Sequence, residues 1–413
     1  MKHLMALKCN PTNSSANASQ LEDAIEKEFW VQLLPKMGEE VCIPNHLLPK
    51  GPGVVIASGG SLGMPHHCLQ PCSNLDQSAF ATGEWLMEQG YEPKNCTIIN
   101  PLPFHHVSGL MPWWRSRVWG CKHIWLAASL MRDQIALEHS YKSILRQKIN
   151  PIVISLVPTQ INRLLASKIG LLWLQCFDII WVGGSKLSEQ LSEEARRNNI
   201  RLAPCYGSTE TAAMVTVLHP NLFLSGKKGC GNPLGDVELR LNTSGALEVK
   251  TKRLAVARWK DGHLESLCDQ NGWWQSGDSA TLNIENSLCQ VEIHGRLDTA
   301  INSGGETIFP ETLEARILKY AKTNNLPIQN IILLPISDDE WGQRLIGLVR
   351  WQAKLTPSEK RTRFNLLRQE AKTWRPAERP SDWYECPQLS TNLVGKWQRS
   401  KWKKWWKNKY IKQ

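Results

Sequence analysis

Six short segments carry the residues whose types and spacing could do chemistry, and they follow one another in a fixed order. They are SGGSLGMPH (Ser58 to His66), YGSTET (Tyr206 to Thr211), GWWQSGD (Gly272 to Asp278), GRLD (Gly295 to Asp298), SGGETIFPETLE (Ser303 to Glu314) and GKWQR (Gly395 to Arg399). In the first, Gly60 and Gly63 let backbone N–H groups approach phosphate oxygens, and the hydroxyls of Ser58 and Ser61 add donors. The pattern GxxxxGK[ST] is absent, so this is not a Walker A loop. Read alone, it is also an ordinary strand-to-helix turn. YGSTET read alone fits a helix N-cap with Glu210 as the capping-box acid. Asp278 offers a carboxylate that can accept both hydroxyls of a ribose, or can close a turn. Phosphate chemistry of this kind needs charge neutralisation and in-line positioning more than acid–base groups.

The elements that must hold these residues can be read from the hydrophobic pattern. The stretch 10–20, rich in Asn, Ser and Ala, reads as loop, and Leu21 to Leu34 as an amphipathic helix, both within a short lead-in of about fifty residues. GVVIASGG, from Gly53, reads as a buried strand running into the glycine-rich turn. Cys96–Asn100, Pro151–Leu156 and Asp178–Val182 are further strand candidates, with helical stretches at Gln160–Leu165 and Leu187–Asn198. Strands alternating with helices predict a layered α/β domain with a largely parallel sheet. After Pro233, short strands at Asp236–Leu241, Ala246–Thr251 and Ser287–His294 predict a smaller β-rich subdomain. The expected fold class is therefore multi-domain α/β. A large N-terminal layered domain with a β-rich subdomain (1–297) precedes a small mobile C-terminal α+β domain (298–413).

The chain of 413 residues is too long for one ordinary core, and 42% hydrophobic with 21% charged content is that of a folded globular protein. It holds no apolar run of about 18 residues, so no spanning helix is expected, and its start makes a poor secretion signal. The 12 cysteines are scattered without a CxxC pair, which predicts reduced thiols and a cytoplasmic protein. The formal net charge is +11, part of it in the acid-free tail KWQRSKWKKWWKNKYIKQ. That tail is expected to be a solvated terminal helix with tryptophans packed on the domain; weak contact with an anionic membrane surface is the alternative. No nucleic-acid partner is expected.

Taken together, the order and spacing of the six segments resemble the acyl-adenylate-forming superfamily of acyl-CoA ligases, luciferases and adenylation domains. The resemblance runs from roughly Val54 to the C-terminus. It implies a two-step reaction with ATP, Mg²⁺ and CoA. A carboxylic acid and ATP give an acyl-adenylate and pyrophosphate, and the CoA thiol then takes the acyl group and releases AMP. The resemblance assigns Ser58, Gly60, Ser61, Gly63 and His66 to the phosphate loop, with Gly59 and Leu62 in place of hydroxyl residues and His66 in place of a lysine. Glu210 would hold Mg²⁺, Thr209 would donate to the α-phosphate, and Tyr206 and Gly207 would lie near the adenine. Gly183, Gly184 and Ser185 would lie flat against the adenine, or form a simple strand-end turn. Asp278 would bind ribose, Arg296 ribose or phosphate, and Asp298 would be a hinge. Lys396 would bridge the acid's carboxylate and the α-phosphate, and Gly304 and Gly305, after Ser303, would leave room for a pantetheine arm.

The segments LPFHHVSGLMPWWR and SLVPTQINRLL look most like the 2-succinylbenzoate–CoA ligases of menaquinone and phylloquinone synthesis. In that branch His106, with Ser108, would border the acid pocket. Arg115, nine positions after His106, would pair with the second carboxylate of a dianionic aromatic acid. Two other readings share these residues. One is an adenylating enzyme that loads another aromatic or fatty acid onto CoA or a carrier protein. The other is a nucleotide-binding pseudo-enzyme, motivated by His66 and the short N-terminal region.

Overall fold

The computed structural model describes residues 3–58, 66–147, 150–285, 288–391 and 397–410. They form two compact units. One holds the described residues up to Ser276 together with 281–293, and the other holds 277–280 and the residues from His294 onward. Among the described residues no helix is long and apolar enough to cross a membrane, and the described cysteines are free thiols.

In the first unit, β1 (Leu4–Cys9), β2 (Trp30–Pro35) and β3 (Gly53–Ser58) run parallel. Strand β4 (His66–Pro71) then returns antiparallel to β3, with Ser58 opposite His66. The glycine-rich segment thus joins two paired strands and does not lead from a strand into a helix. Helix α1 (Ser14–Glu26) connects β1 and β2, and the Asn13 side chain caps it by accepting from the Ala16 N–H. Two expectations are corrected here. Residues 4–35, expected to be a lead-in, are a βαβ unit that joins the core. The helix expected over Leu21–Leu34 is two elements, because Glu28 adopts a left-handed φ of 58° and the next residues extend as β2. WVQLLP is buried from Trp30 to Leu34, and a strand covered on both faces is nearly continuous in apolar residues. Such a run lacks the alternation that marks a half-buried strand.

A second sheet follows. It is built from β5 (Thr97–Asn100), β6 (Lys122–Trp125), β7 (Ile152–Leu156), β8 (Ile179–Val182), β9 (Leu202–Ser208), β10 (Ala213–Val217) and β11 (Asn232–Pro233), in the spatial order β11-β10-β9-β8-β7-β5-β6. The strands from β6 through β9 are parallel, while β10 and β11 are antiparallel. Helices α2 (Cys72–Glu88) and α3 (Val107–Trp119) pack on each other. Their apolar side chains join those of β1, β2 and β3 in one core containing Leu75, Leu110 and Trp114. Helices α4 (Gln134–Gln147), α5 (Pro158–Leu165), α6 (Lys168–Leu174), α7 (Glu189–Arg197) and the short α8 (Pro220–Leu224) close a separate core against the second sheet, around Ile154, Trp173, Ile180 and Phe223. The strands and helices expected between 96 and 198 lie within two residues of these elements. This second sheet is largely parallel, as expected, with an antiparallel edge at β10 and β11, whereas the first sheet is mixed. The hairpin β9–β10 makes a tight reversal, which only antiparallel neighbours allow, and β4 runs antiparallel to β3.

Beyond β11, β12 (Glu238–Leu241) and β13 (Ala246–Lys250) pair, and β14 (Ala257–Lys260) and β15 (His263–Glu265) extend the first sheet past β4. Strands β16 (Trp274–Glu285) and β17 (Leu288–Arg296) complete a four-stranded sheet with β12 and β13. The second unit is α+β. Its five strands β18 (Ile301–Ser303), β19 (Glu306–Ile308), β20 (Ile328–Asp338), β21 (Gly342–Trp351) and β22 (Asp382–Glu385) form one sheet with α9 (Pro310–Thr323) and α10 (Pro357–Lys372). The basic tail forms α11 (Arg399–Tyr410). Trp402 and Trp406 are buried against Ile332, Leu334, Ile346 and Leu348, while Lys401, Lys404, Lys407 and Lys409 are exposed. Arg399 fixes the start of this helix by pairing with Glu311 at 3.0 Å and Glu314 at 2.8 Å.

Candidate active site

Glu210 occupies the tight turn between β9 and β10, so the helix N-cap reading of STET is set aside. A helix is blocked there because Ala212 and Ala213 both adopt left-handed φ values, 50° and 85°. Gly207, opposite Met214 on this hairpin, has no room for a side chain: a Cβ would lie 2.1 Å from the Ala213 carbonyl oxygen. The Thr211 hydroxyl ties the turn together, accepting from the Ser208 N–H at 3.0 Å and donating to the Ala213 carbonyl at 2.6 Å.

Glu210 is only 6% exposed. Its Oε1 accepts from Ser58 Oγ at 2.9 Å and lies 2.7 Å from His66 Nε2. The two ends of the glycine-rich segment therefore meet the acid of the second motif. Burial pushes the Glu210 carboxyl up. The His66 hydrogen bond and charge, with help from the backbone and Ser208, outweigh burial and hold it near 2. The site thus keeps one ionised oxygen ligand near the end of a phosphate-loop candidate. One carboxylate plus substrate phosphates suffices for Mg²⁺, which retains several waters.

Sequence reading missed the residues that hold this turn in place. Gln70, fully buried on β4, donates to the Thr209 carbonyl at 2.8 Å and to the Glu210 carbonyl at 3.2 Å. Ser78 on α2 donates to the Ala212 carbonyl, and the Ala255 N–H donates to the Glu210 carbonyl at 2.7 Å. Arg253, also fully buried, donates through Nη1 to the carbonyls of Thr211 (3.1 Å) and Met214 (2.8 Å). Its Nε and Nη2 bind the Asp236 carboxylate at 2.7 and 3.1 Å. Local sequence offers little signal for them: Gln70 sits between Leu69 and Pro71, and Arg253 ends the polar stretch KTKR before LAVA.

The parallel strands β7, β8 and β9 end beside the other candidates, the usual ligand side of an open α/β sheet. Gly184 follows β8 with φ 84°, and a Cβ on Gly183 would lie 3.2 Å from Cys205 Sγ. Tyr206 lies on β9 and is half-buried. His106 precedes α3 at its N-cap position and packs against His105, with ring centroids 4.2 Å apart. Ser108 is exposed in the first turn of α3, whereas Arg115 is 1% exposed. Nine helical residues make two and a half turns and about 13 Å of rise, so His106 and Arg115 lie on opposite sides of α3 and do not converge. The Arg115 guanidinium sits 5.1 Å from the centre of the Trp181 ring, and its Nε and Nη2 have no hydrogen-bond partner. Burial lowers its pKa to about 10; the nearby Cys205 opposes this and Arg253 adds to it. A cavity of about 490 Å³ opens elsewhere, between β5, β6 and α4, and no candidate residue lines it.

In the second unit, Asp278 and Arg296 do meet. Arg296 lies 3.7 Å from Asp278 and pairs with Asp298 at 2.9 Å, so the guanidinium bridges two carboxylates. Gly277, at φ 76°, allows this approach, since a Cβ there would lie 3.2 Å from Arg296 Nη2. Gly304 and Gly305 form the turn between β18 and β19 with φ 57° and 84°, a turn whose backbone calls for glycine. A Cβ on Gly304 would also strike the Trp341 ring at 2.7 Å. Gly60, Ser61, Gly63 and Lys396 lie outside the described residues.

Residues 6–251 match the family described as AMP-binding enzyme, and the chain belongs to that family. It is 28% identical over 301 residues to the 2-succinylbenzoate–CoA ligase of Salmonella typhimurium. That match covers 72% of this chain and 58% of the relative, so the chain spans well under two thirds of the relative's length. The structure resembles o-succinylbenzoate CoA synthetase from Bacillus subtilis in complex with its acyl-adenylate intermediate. The TM-score is 0.72 and the identity 18%, covering 97% of this chain and 88% of that one. The same synthetase with ATP and a magnesium ion gives the same TM-score and identity, covering 97% and 89%. At this identity the likeness establishes a common fold. The multi-domain α/β expectation and the superfamily resemblance are both borne out.

Proposed function

We propose that the chain is an AMP-forming acid–thiol ligase that activates a carboxylic acid with ATP and passes the acyl group to CoA. The observation that carries this reading is the Glu210 carboxylate, ionised and held by Ser58 and His66 in a turn whose carbonyls are fixed by buried donors. Bound Mg²⁺ would supply positive charge to the phosphates, held by Glu210. Positioning falls to the chain itself. Thr209 donates to the α-phosphate, Gly183, Gly184, Ser185, Tyr206 and Gly207 border the adenine, and Asp278 with Arg296 takes the ribose. Lys396, from the segment 298–413, neutralises the acid carboxylate and the α-phosphate as the mixed anhydride forms. A preorganised turn loses no reorganisation energy when charge develops, which is where such sites gain rate.

For the acid we propose 2-succinylbenzoate, which would place the chain in menaquinone or phylloquinone synthesis. Arg115 supports this choice. A buried guanidinium with two unpartnered nitrogens is costly on its own, and a second carboxylate on the substrate would satisfy it. Arg115→Met is the test. It is expected to lower kcat/KM for 2-succinylbenzoate by about 10–100-fold, the worth of charge-assisted hydrogen bonds, and to leave a monocarboxylate such as benzoate unaffected. Its thermal stability is expected to hold or rise, because an uncompensated buried charge is removed. Equal losses on both acids together with a lower Tm would assign Arg115 to structure instead.

A further inference from the structure

Strand geometry puts two soft or borderline ligands beside Glu210. His66 and Cys68 are two residues apart on β4, so their side chains share one face of the sheet, the face that Glu210 meets. His66 Nε2, Cys68 Sγ and a Glu210 carboxylate oxygen all lie within 4.8 Å of one another. Cys68 is fully buried, Glu210 is buried and His66 is half-buried. Ser58 Oγ lies 2.9 Å from Glu210 Oε1, beside the set.

We propose that His66, Cys68 and Glu210 form a binding site for a borderline-soft divalent metal of the zinc class, with Ser58 or a water as fourth ligand. One nitrogen, one thiolate and one carboxylate oxygen are the donors zinc selects, at about 2.0–2.1, 2.3 and 2.0–2.2 Å. Tetrahedral bonds of those lengths set the ligand atoms about 3.4–3.6 Å apart, so each atom moves by roughly an ångström. A magnesium ion, by contrast, has no use for the sulfur. On binding, the Cys68 thiol proton passes to water, the Sγ–metal bond forms, and the hydrogen bond between His66 and Glu210 is given up. The nearest cation across the strand pair, Arg258 opposite Cys68, is held by Glu265 at 2.6 Å. This proposal also gives a regulatory consequence, which rests on the ligase reading: zinc at this site withdraws Glu210 from Mg²⁺ and opposes adenylation.

Titration of the metal-free full chain with Co²⁺ tests the site without any activity measurement. Wild type is expected to develop one equivalent of a thiolate-to-cobalt charge-transfer band, which Zn²⁺ abolishes. Cys68→Ser is expected to lose that band while its circular dichroism stays native. His66→Gln, which keeps the thiol, is expected to weaken Zn²⁺ binding at least about 100-fold, beyond the 10–100-fold that an outer-shell loss costs. Absence of the band in wild type, or an undiminished band in Cys68→Ser, would overturn the proposal, the latter by placing the metal on another cysteine. Zn²⁺ inhibition of acid-dependent pyrophosphate exchange, relieved in Cys68→Ser, reports the regulatory consequence separately.

Discussion

Replacing Arg253 by Met is expected to lower the stability of the first unit by about 3–5 kcal/mol, the cost of breaking a buried ion pair from one side. Three losses combine at this residue. The Asp236 carboxylate keeps its charge without its bidentate partner. The carbonyls of Thr211 and Met214 lose a buried donor. Ser78 Oγ, 3.2 Å from Arg253 Nη1, loses a neighbour while still serving Ala212. Since folded proteins are stable by only about 5–15 kcal/mol, such a loss is large. The midpoint of denaturant unfolding measures it. The double variant Arg253→Met with Asp236→Leu is expected to recover part of the loss, because it removes the stranded charge. A single variant within about 1 kcal/mol of wild type would show that the turn does not depend on this guanidinium.

Glu210→Gln is expected to slow acid-dependent pyrophosphate release by about 10²–10³-fold, the range measured when one preorganised electrostatic group is lost. The amide is nearly isosteric and can still bond Ser58 and His66, so the hairpin keeps its shape while the site loses the charge a hard cation requires. The Mg²⁺ concentration needed for half-maximal rate is expected to rise with it. The sign of the pH effect follows from the carboxyl's low value. Held near 2 against an ordinary 4.5, it contributes stability that is fully present above 4.5 and lost as pH falls toward 2. Glu210→Gln therefore flattens the acid limb of the stability curve. An unchanged rate at low Mg²⁺ would remove Glu210 from the reaction.

The parts of this architecture legible in the sequence share a physical cause. Strands β5, β7 and β8 are short apolar runs, and α7 buries Leu191 and Ala195 on one face with Ser188 at its cap. Local pattern decides such elements. Strand β2 was not legible, since WVQLLP is buried on both faces and carries neither a clean period of two nor one of 3.6. The return of β14 beside β4, nearly two hundred residues later, has no local signature. At the site, motif order placed Ser58, His66 and Glu210 together, and the structure joins them. The convergence of Gln70, Ser78, Arg253 and Ala255 on one turn depends on long-range pairing, which has no local signature. Cys68 was likewise invisible. Its place beside Glu210 arises from the antiparallel return of β4, where a strand-to-helix turn would have carried it elsewhere.

The measurement that bears most directly on the central claim is the release of pyrophosphate and AMP from ATP and Mg²⁺ with 2-succinylbenzoate, with and without CoA. Acid-dependent release of pyrophosphate is expected, and with CoA a thioester product alongside AMP. ATP binding without any acid-dependent pyrophosphate release would contradict it and leave a nucleotide-binding protein that does not activate this acid.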